Sequence, residues 1–142
     1  MSKHRSVIVV AALGLASACA HKEKELQVPA PTKAAFEKQY PGVTGEWDKE
    51  DSNYEVEFKQ DGKEMSMVID KDGTVVETET GIPVADLPQA ILDYMKQNYS
   101  GSKIDEAAKI IKSDGEINYE AEVSHKDVLF DVNGKFIKES KD

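Results

Sequence analysis

FEKQYPG at positions 36–42 and MKQNYSG at 95–101 both run from an apolar residue through polar ones to Tyr and then Gly, at an offset of 59. Outward from them, Val28-Pro29 answers Leu87-Pro88 at the same offset. Downstream, YEVEF at 54–58 answers YEAEV at 119–123 with an offset of 65, and DKDGTVVE at 70–77 answers DVNGKFIK at 131–138 with an offset of 61. An offset that holds within an element and changes only between elements is the mark of a duplication whose loops have gained and lost residues. The chain is read as one unit built twice, 28–82 and 83–142.

Each unit has the same internal grammar. PTKAAFEKQY at 31–40 and PQAILDYMKQNY at 88–99 space their apolar residues as a helix does, Phe36 with Tyr40 and Ile91 with Met95 and Tyr99. Pro31 and Pro88 suit a first helical turn, where no N–H is needed, and Gly42 and Gly101 suit the left-handed position beyond a helix end. The period then switches to two. YEVEF sets Tyr54, Val56 and Phe58 on one face against Glu55 and Glu57, and INYEAEV sets Ile117, Tyr119, Ala121 and Val123 against Asn118, Glu120 and Glu122. QDGK at 60–63, KDGT at 71–74 and VNGK at 132–135 supply hairpin turns. The prediction is an α+β fold of two tandem repeats, each a helix over a four-stranded antiparallel sheet. The strands are expected near 46–50, 54–60, 63–70 and 74–79, and again near 104–112, 116–123, 126–131 and 135–139. With about 55 residues and one helix apiece, the repeats are expected to fold as one cooperative body, because either alone buries a marginal core and leaves a sheet edge open.

A helix preceded by Val/Leu-Pro and ended by YPG, then alternating strands and an Asp-Gly or Asn-Gly hairpin, in tandem over about 28–140, resembles the PepSY-like, β-lactamase-inhibitor-like proteins of the bacterial envelope. Ser100 replaces the proline of YPG in the second unit. The resemblance implies that the two sheets join side by side into one curved sheet with the helices on its convex side, and that the role is binding or inhibition rather than catalysis. Secreted β-lactamase inhibitors of similar fold carry disulfides, which a chain whose one cysteine is Cys19 cannot form. Their target is therefore not carried over.

The N-terminus reads as an address. MSKHRS is basic, VIVVAALGL is an apolar run, and ASAC offers small residues for cleavage, so 1–18 is expected to be a signal peptide. The run is too short to span the roughly 30 Å hydrocarbon core of a membrane. Leu15-Ala16-Ser17-Ala18 before Cys19 resembles a bacterial lipobox, with Ala16 where leucine is preferred, and implies a lipidated Cys19 on a polar tether, 19–27. The alternative is ordinary cleavage after Ala18, which leaves an unpaired thiol. An outer-membrane lipoprotein facing the periplasm is the expected localisation, touching the membrane only through its lipid.

Acidic residues number 27 against 18 basic ones, a formal net charge of −9, and a signal peptide carrying Lys3 and Arg5 but no acid leaves the remainder more negative still. Such a surface repels phosphates, so nucleic acid is not an expected partner. No phosphate loop, CxxC or HExxH is present, and no cofactor is expected. His125 lies in the hairpin VSHKD, away from any nucleophile pattern, and no catalytic residue is assigned. DKDG at 70–73 lacks the rest of a calcium loop and reads as a turn, so no metal site is assigned. Trp47, Met65, Met67 and Ile69 read as core.

The polar side of the sheet remains. Glu55, Glu57, Glu120 and Glu122 occupy equivalent positions of both repeats and point away from the helices. They form either an ordinary solvated sheet face or a carboxylate-lined surface for an envelope or secreted protein or peptide, a basic one in particular. The function expected is a non-catalytic binding or inhibitor-like module. The alternative is a structural or stress-related lipoprotein with weak cation binding.

Overall fold

The computed structural model describes residues 26–141. The expected signal peptide, Cys19 and most of the tether lie outside the described residues. From the N-terminal side run α1 (Ala30–Gln39), β1 (Gly45–Glu50), β2 (Asn53–Gln60), β3 (Lys63–Ile69) and β4 (Val75–Gly81). After a single helical turn at Val84–Asp86 follow α2 (Gln89–Asn98), β5 (Glu106–Lys112), β6 (Ile117–Glu122), β7 (Lys126–Asp131) and β8 (Phe136–Lys141). All eight strands join one sheet in sequence order, every neighbouring pair antiparallel. Among the described residues, two helices of ten residues each stand against eight strands, so this part of the chain is mostly sheet.

The duplication is visible residue by residue. Pro29 and Pro88 precede the two helices, and Tyr40 and Tyr99 end them, each donating its N–H to the carbonyl four residues back. Gly42 and Gly101 follow with φ of 77° and 83°, the left-handed conformation that glycine adopts without a Cβ penalty. Pro88 stands just before its helix rather than in the first turn; with φ fixed near −65° it serves either position. The strand register shifts between Val68 and Ile69 in one repeat and between Leu129 and Phe130 in the other, equivalent places.

Both helices cover the same face. Phe36 on α1 meets Phe58 edge-on with ring centroids 5.0 Å apart, and Val56, Met67 and Ile69 complete that core. Trp47 is half-buried against Phe36 at 5.8 Å. On α2, Ile91 and Met95 pack with Ala121, Val123, Val128 and Phe130. Where one repeat has Val56 and Phe58 the other has Ala121 and Val123, and where one has Ile69 the other has Phe130. The aromatic bulk has moved between strands while each core stays filled, as close packing demands.

The two cores do not merge. Thr78 and Thr80 on β4 and Lys109 and Ile111 on β5 occupy the helix-side surface between them, and Ile111 is 46% exposed. The repeats are joined through the β4–β5 ladder and the Ile82 N–H to Ala107 carbonyl bond of 2.9 Å.

The long hairpins dock on the helices. Asp70 accepts the N–H groups of Asp72 and Thr74 on one carboxylate oxygen, at 2.9 and 2.8 Å, and its carbonyl accepts the buried Thr32 hydroxyl at 2.7 Å. Asp131 does the same for Asn133 and Lys135, both at 2.9 Å. DKDG is thus a hairpin whose first aspartate is occupied by its own backbone. The β6–β7 turn is different: Ser124 and His125 carry φ of 52° and 60°, a pair of positive values that Asn-Gly adopts at least cost. His125 is exposed there. Replacing Ser124-His125 by Asn-Gly is expected to raise stability by about 0.5–1 kcal/mol, read as a higher urea midpoint at unchanged slope.

Candidate functional site: the face without helices

The period of two holds through the whole sheet, so the register brings the polar residues of both repeats to one surface. Glu57 stands opposite Ser66, Ser66 opposite Glu79, Glu79 opposite Ile110, and Ile110 opposite Asn118. A neighbouring row runs from Glu55 through Val68 and Glu77 to Lys112. Beyond the junction, Ala108, Glu120 and Leu129 form one row, and Glu106, Glu122 and Asp127 another. Glu55, Glu57, Glu120 and Glu122 thus share the helix-free face, as their alternation predicts.

They are not solvated there. Glu55 is 7% exposed, Glu120 4% and Glu122 6%, and Glu57 is half-buried. The expectation of an ordinary wet sheet face is corrected. Side chains directly opposite on neighbouring strands lie about 5 Å apart, so each carboxylate is crowded from both sides, Glu120 by Ala108 and Leu129, Glu55 by Asp48 and Val68.

The crowding sets the protonation. Burial raises the Glu55 carboxyl to about 7, against a hydrogen bond from Ser66 and with the charges of Glu57, Glu50 and Glu77 adding to the rise. Glu106 is raised to about 7 by burial first and then by Glu122, Asp105 and Glu64. Glu79 is held well above the usual carboxylate range, chiefly by burial and next by Glu120, Glu55, Glu77 and Asp127. Glu79 is the centre of the arrangement: it feels charges from both repeats, and the alternation of VVETETG would have singled it out beside Glu77. A cavity of about 550 Å³ opens at the junction, lined by Glu64, Glu79, Glu106 and Glu120 together with Gly81 and Ala108. Lys63 also lines it, so the cavity is acidic with one basic side chain at its wall. Among the described residues no group of three or more His, Cys, Asp or Glu is arranged to hold a metal ion, and none of their helices is long and apolar enough to cross a membrane.

The family described as beta-lactamase-inhibitor-like, PepSY-like, matches over 20–77 and again over 69–138. The chain belongs to this PepSY-like family. A Bacteroides eggerthii protein described as periplasmic is similar in fold, with a TM-score of 0.70 at 16% identity over 81% of this chain and 89% of that one. A Bacteroides uniformis protein follows at 0.69 and 21%, covering 81% and 90%. A β-lactamase-inhibitor-like protein from Bacteroides fragilis gives 0.59 at 22%, covering 83% and 89%. No curated protein matches. The PepSY-like repeat, in this chain, is one helix and four strands, and its doubling creates the junction at which Glu79 meets Glu120.

Proposed function

We propose that this protein is a non-catalytic module of the bacterial envelope that binds a basic protein or peptide on the helix-free face of its sheet. The observation that carries the reading is the repetition of Tyr-Glu-x-Glu at 54–57 and 119–122, which sets crowded carboxylates on that face in both repeats although like charges on adjacent strands cost up to about 1 kcal/mol each. The fold of the inhibitor-like and periplasmic relatives supports a binding role in the same compartment. Export through 1–18 and a lipid on Cys19 would place the module at the outer membrane. Weak cation binding by a structural lipoprotein is the second reading, favoured by the raised carboxyls alone.

An arriving Lys or Arg stabilises the ionised form of Glu55 and Glu106, so binding is expected to release protons and to strengthen between pH 6 and pH 8. Substitution of Glu55, Glu57, Glu120 and Glu122 by lysine would drive charged heads into a crowded surface; glutamine keeps shape and removes the charge. With the partner recovered from an envelope extract on the intact chain, the fourfold glutamine variant is expected to associate several-fold more slowly and with weaker salt dependence. Unchanged kinetics would end this reading, and cation uptake with no retained protein would favour the second.

A further inference from the structure

A second recess of about 360 Å³ lies on the helix-free face, floored by Ile110, Leu129 and Ile137 and rimmed by Lys112, Lys138 and Glu77. Asn118 projects into it between Ile110 and Asp131 of the adjoining strands. It is 1% exposed, and among the described residues neither the nitrogen nor the oxygen of its carboxamide has a hydrogen-bond partner. Glu116 is the neighbour that its amide influences. Its carboxyl is held below the usual range by Lys112 first, whose Nζ sits 2.9 Å away, and by the Asn118 amide second. That second approach falls short of hydrogen-bond geometry.

A buried amide left unpaired costs about 1–3 kcal/mol. An apolar side chain would fill the position without that cost, as Val68 and Ile110 do on the same face. The carboxamide is a donor and an acceptor side by side, the complement of a peptide group, which offers C=O and N–H with no net charge. The floor is apolar and the rim carries both signs, so the recess selects neither a cation nor an anion. A few convergent polar atoms over an apolar floor is how pockets fix the orientation of what they bind.

We propose that the Asn118 recess is a peptide-backbone site: one apolar residue of an extended segment rests on Ile110, Leu129 and Ile137 while its N–H and C=O pair with the Asn118 carboxamide. The inference rests on the reading of the helix-free face as a peptide-binding surface. It adds that charge is not the whole of recognition, since a neutral leucyl segment has a place of its own beside the acidic cavity.

The test uses a neutral probe, acetyl-Ser-Leu-Ser-N-methylamide, and its ester analogue in which the leucine N–H is replaced by oxygen. On the nitrogen-labelled intact chain, the amide probe is expected to shift the Asn118 side-chain resonances saturably, and the ester to bind roughly three- to tenfold more weakly for loss of one hydrogen bond. Asn118→Leu is expected to melt higher than the wild type and to lose probe binding. Equal binding of amide and ester, no shift with about 10 mM probe, or wild-type binding by Asn118→Leu would each overturn the site. The probe carries no charge, so its failure leaves charge-steered association standing, and a failure of the glutamine variant to slow association leaves this site standing.

Discussion

Gly134→Ala is expected to lower stability by about 3 kcal/mol, which for a domain of this size is roughly 10–15 °C in melting temperature. Two costs add. Gly134 has a φ of 81°, where an L-residue loses about 1–2 kcal/mol. A Cβ there would also stand 2.7 Å from the Ala90 Cβ and 3.3 Å from the Ile91 backbone nitrogen, so hairpin and helix must part, at about 1–3 kcal/mol. The reduced freedom of the unfolded chain returns less than 1 kcal/mol. Gly73→Ala is the same experiment in the first repeat, with the Cβ 2.8 Å from the Pro31 carbonyl oxygen. Gly42→Ala and Gly101→Ala supply the comparison, because both have positive φ and nothing within 4 Å of the new Cβ, leaving about 1 kcal/mol of strain. Equal losses at all four positions would show that the docking of hairpin on helix contributes nothing. The shape of the Gly73→Ala melt also reports on cooperativity: one displaced transition means that the β4–β5 ladder couples the two separate cores, and two transitions mean that it does not.

Stability is expected to fall as pH rises from about 5 to 8, by about 2–3 kcal/mol from Glu55 alone. Glu55 moves from 4.5 to about 7 on folding. A folded value above the unfolded one means that the native state binds the proton more tightly, so this stabilisation is complete below 4.5 and is lost through about 7. Glu106, more exposed, and Glu79 push in the same direction. Asp70, Glu116 and Glu139 run the other way, their carboxyls held low by the Thr74 N–H, by Lys112 and by the Tyr99 hydroxyl respectively, and their contribution disappears only in more acidic solution. Melts between pH 5 and 8 should therefore rise toward the acid end, and Glu55→Gln should flatten the slope and gain most at pH 8. A flat profile in the wild type would mean that these carboxyls are as well solvated as a wet sheet face would make them.

Most of the architecture was legible because it is written in short-range periods. Phe36 and Met95 announce their helices, Tyr54-Val56-Phe58 and Ala121-Val123 their strands, and the Gly pairs 73/134 and 42/101 their turns, each within a window the chain itself spans. The four glutamates were assigned to the correct face for the same reason. Glu77, Glu79 and Asp127 were less legible because the duplication does not repeat them: Lys138 and Ser140 stand at the places equivalent to Glu77 and Glu79 in the second repeat, and Ser66 at the place equivalent to Asp127 in the first. Asn118 was seen only as one of the alternating polar residues of its strand.

The sequence by itself determined the duplication, the order of elements and the side of the sheet on which each residue stands, because backbone periodicity and turn chemistry act over a few residues. Only the tertiary structure decided how wet that side is. Desolvation of Glu55 and the unmet hydrogen bonds of Asn118 depend on side chains from neighbouring strands of the same repeat, and the charges that Glu79 feels from Glu120 and Asp127 come from the other repeat, brought within reach when β4 pairs with β5. An electrostatic energy is a sum over everything nearby in space, and no local pattern contains that list.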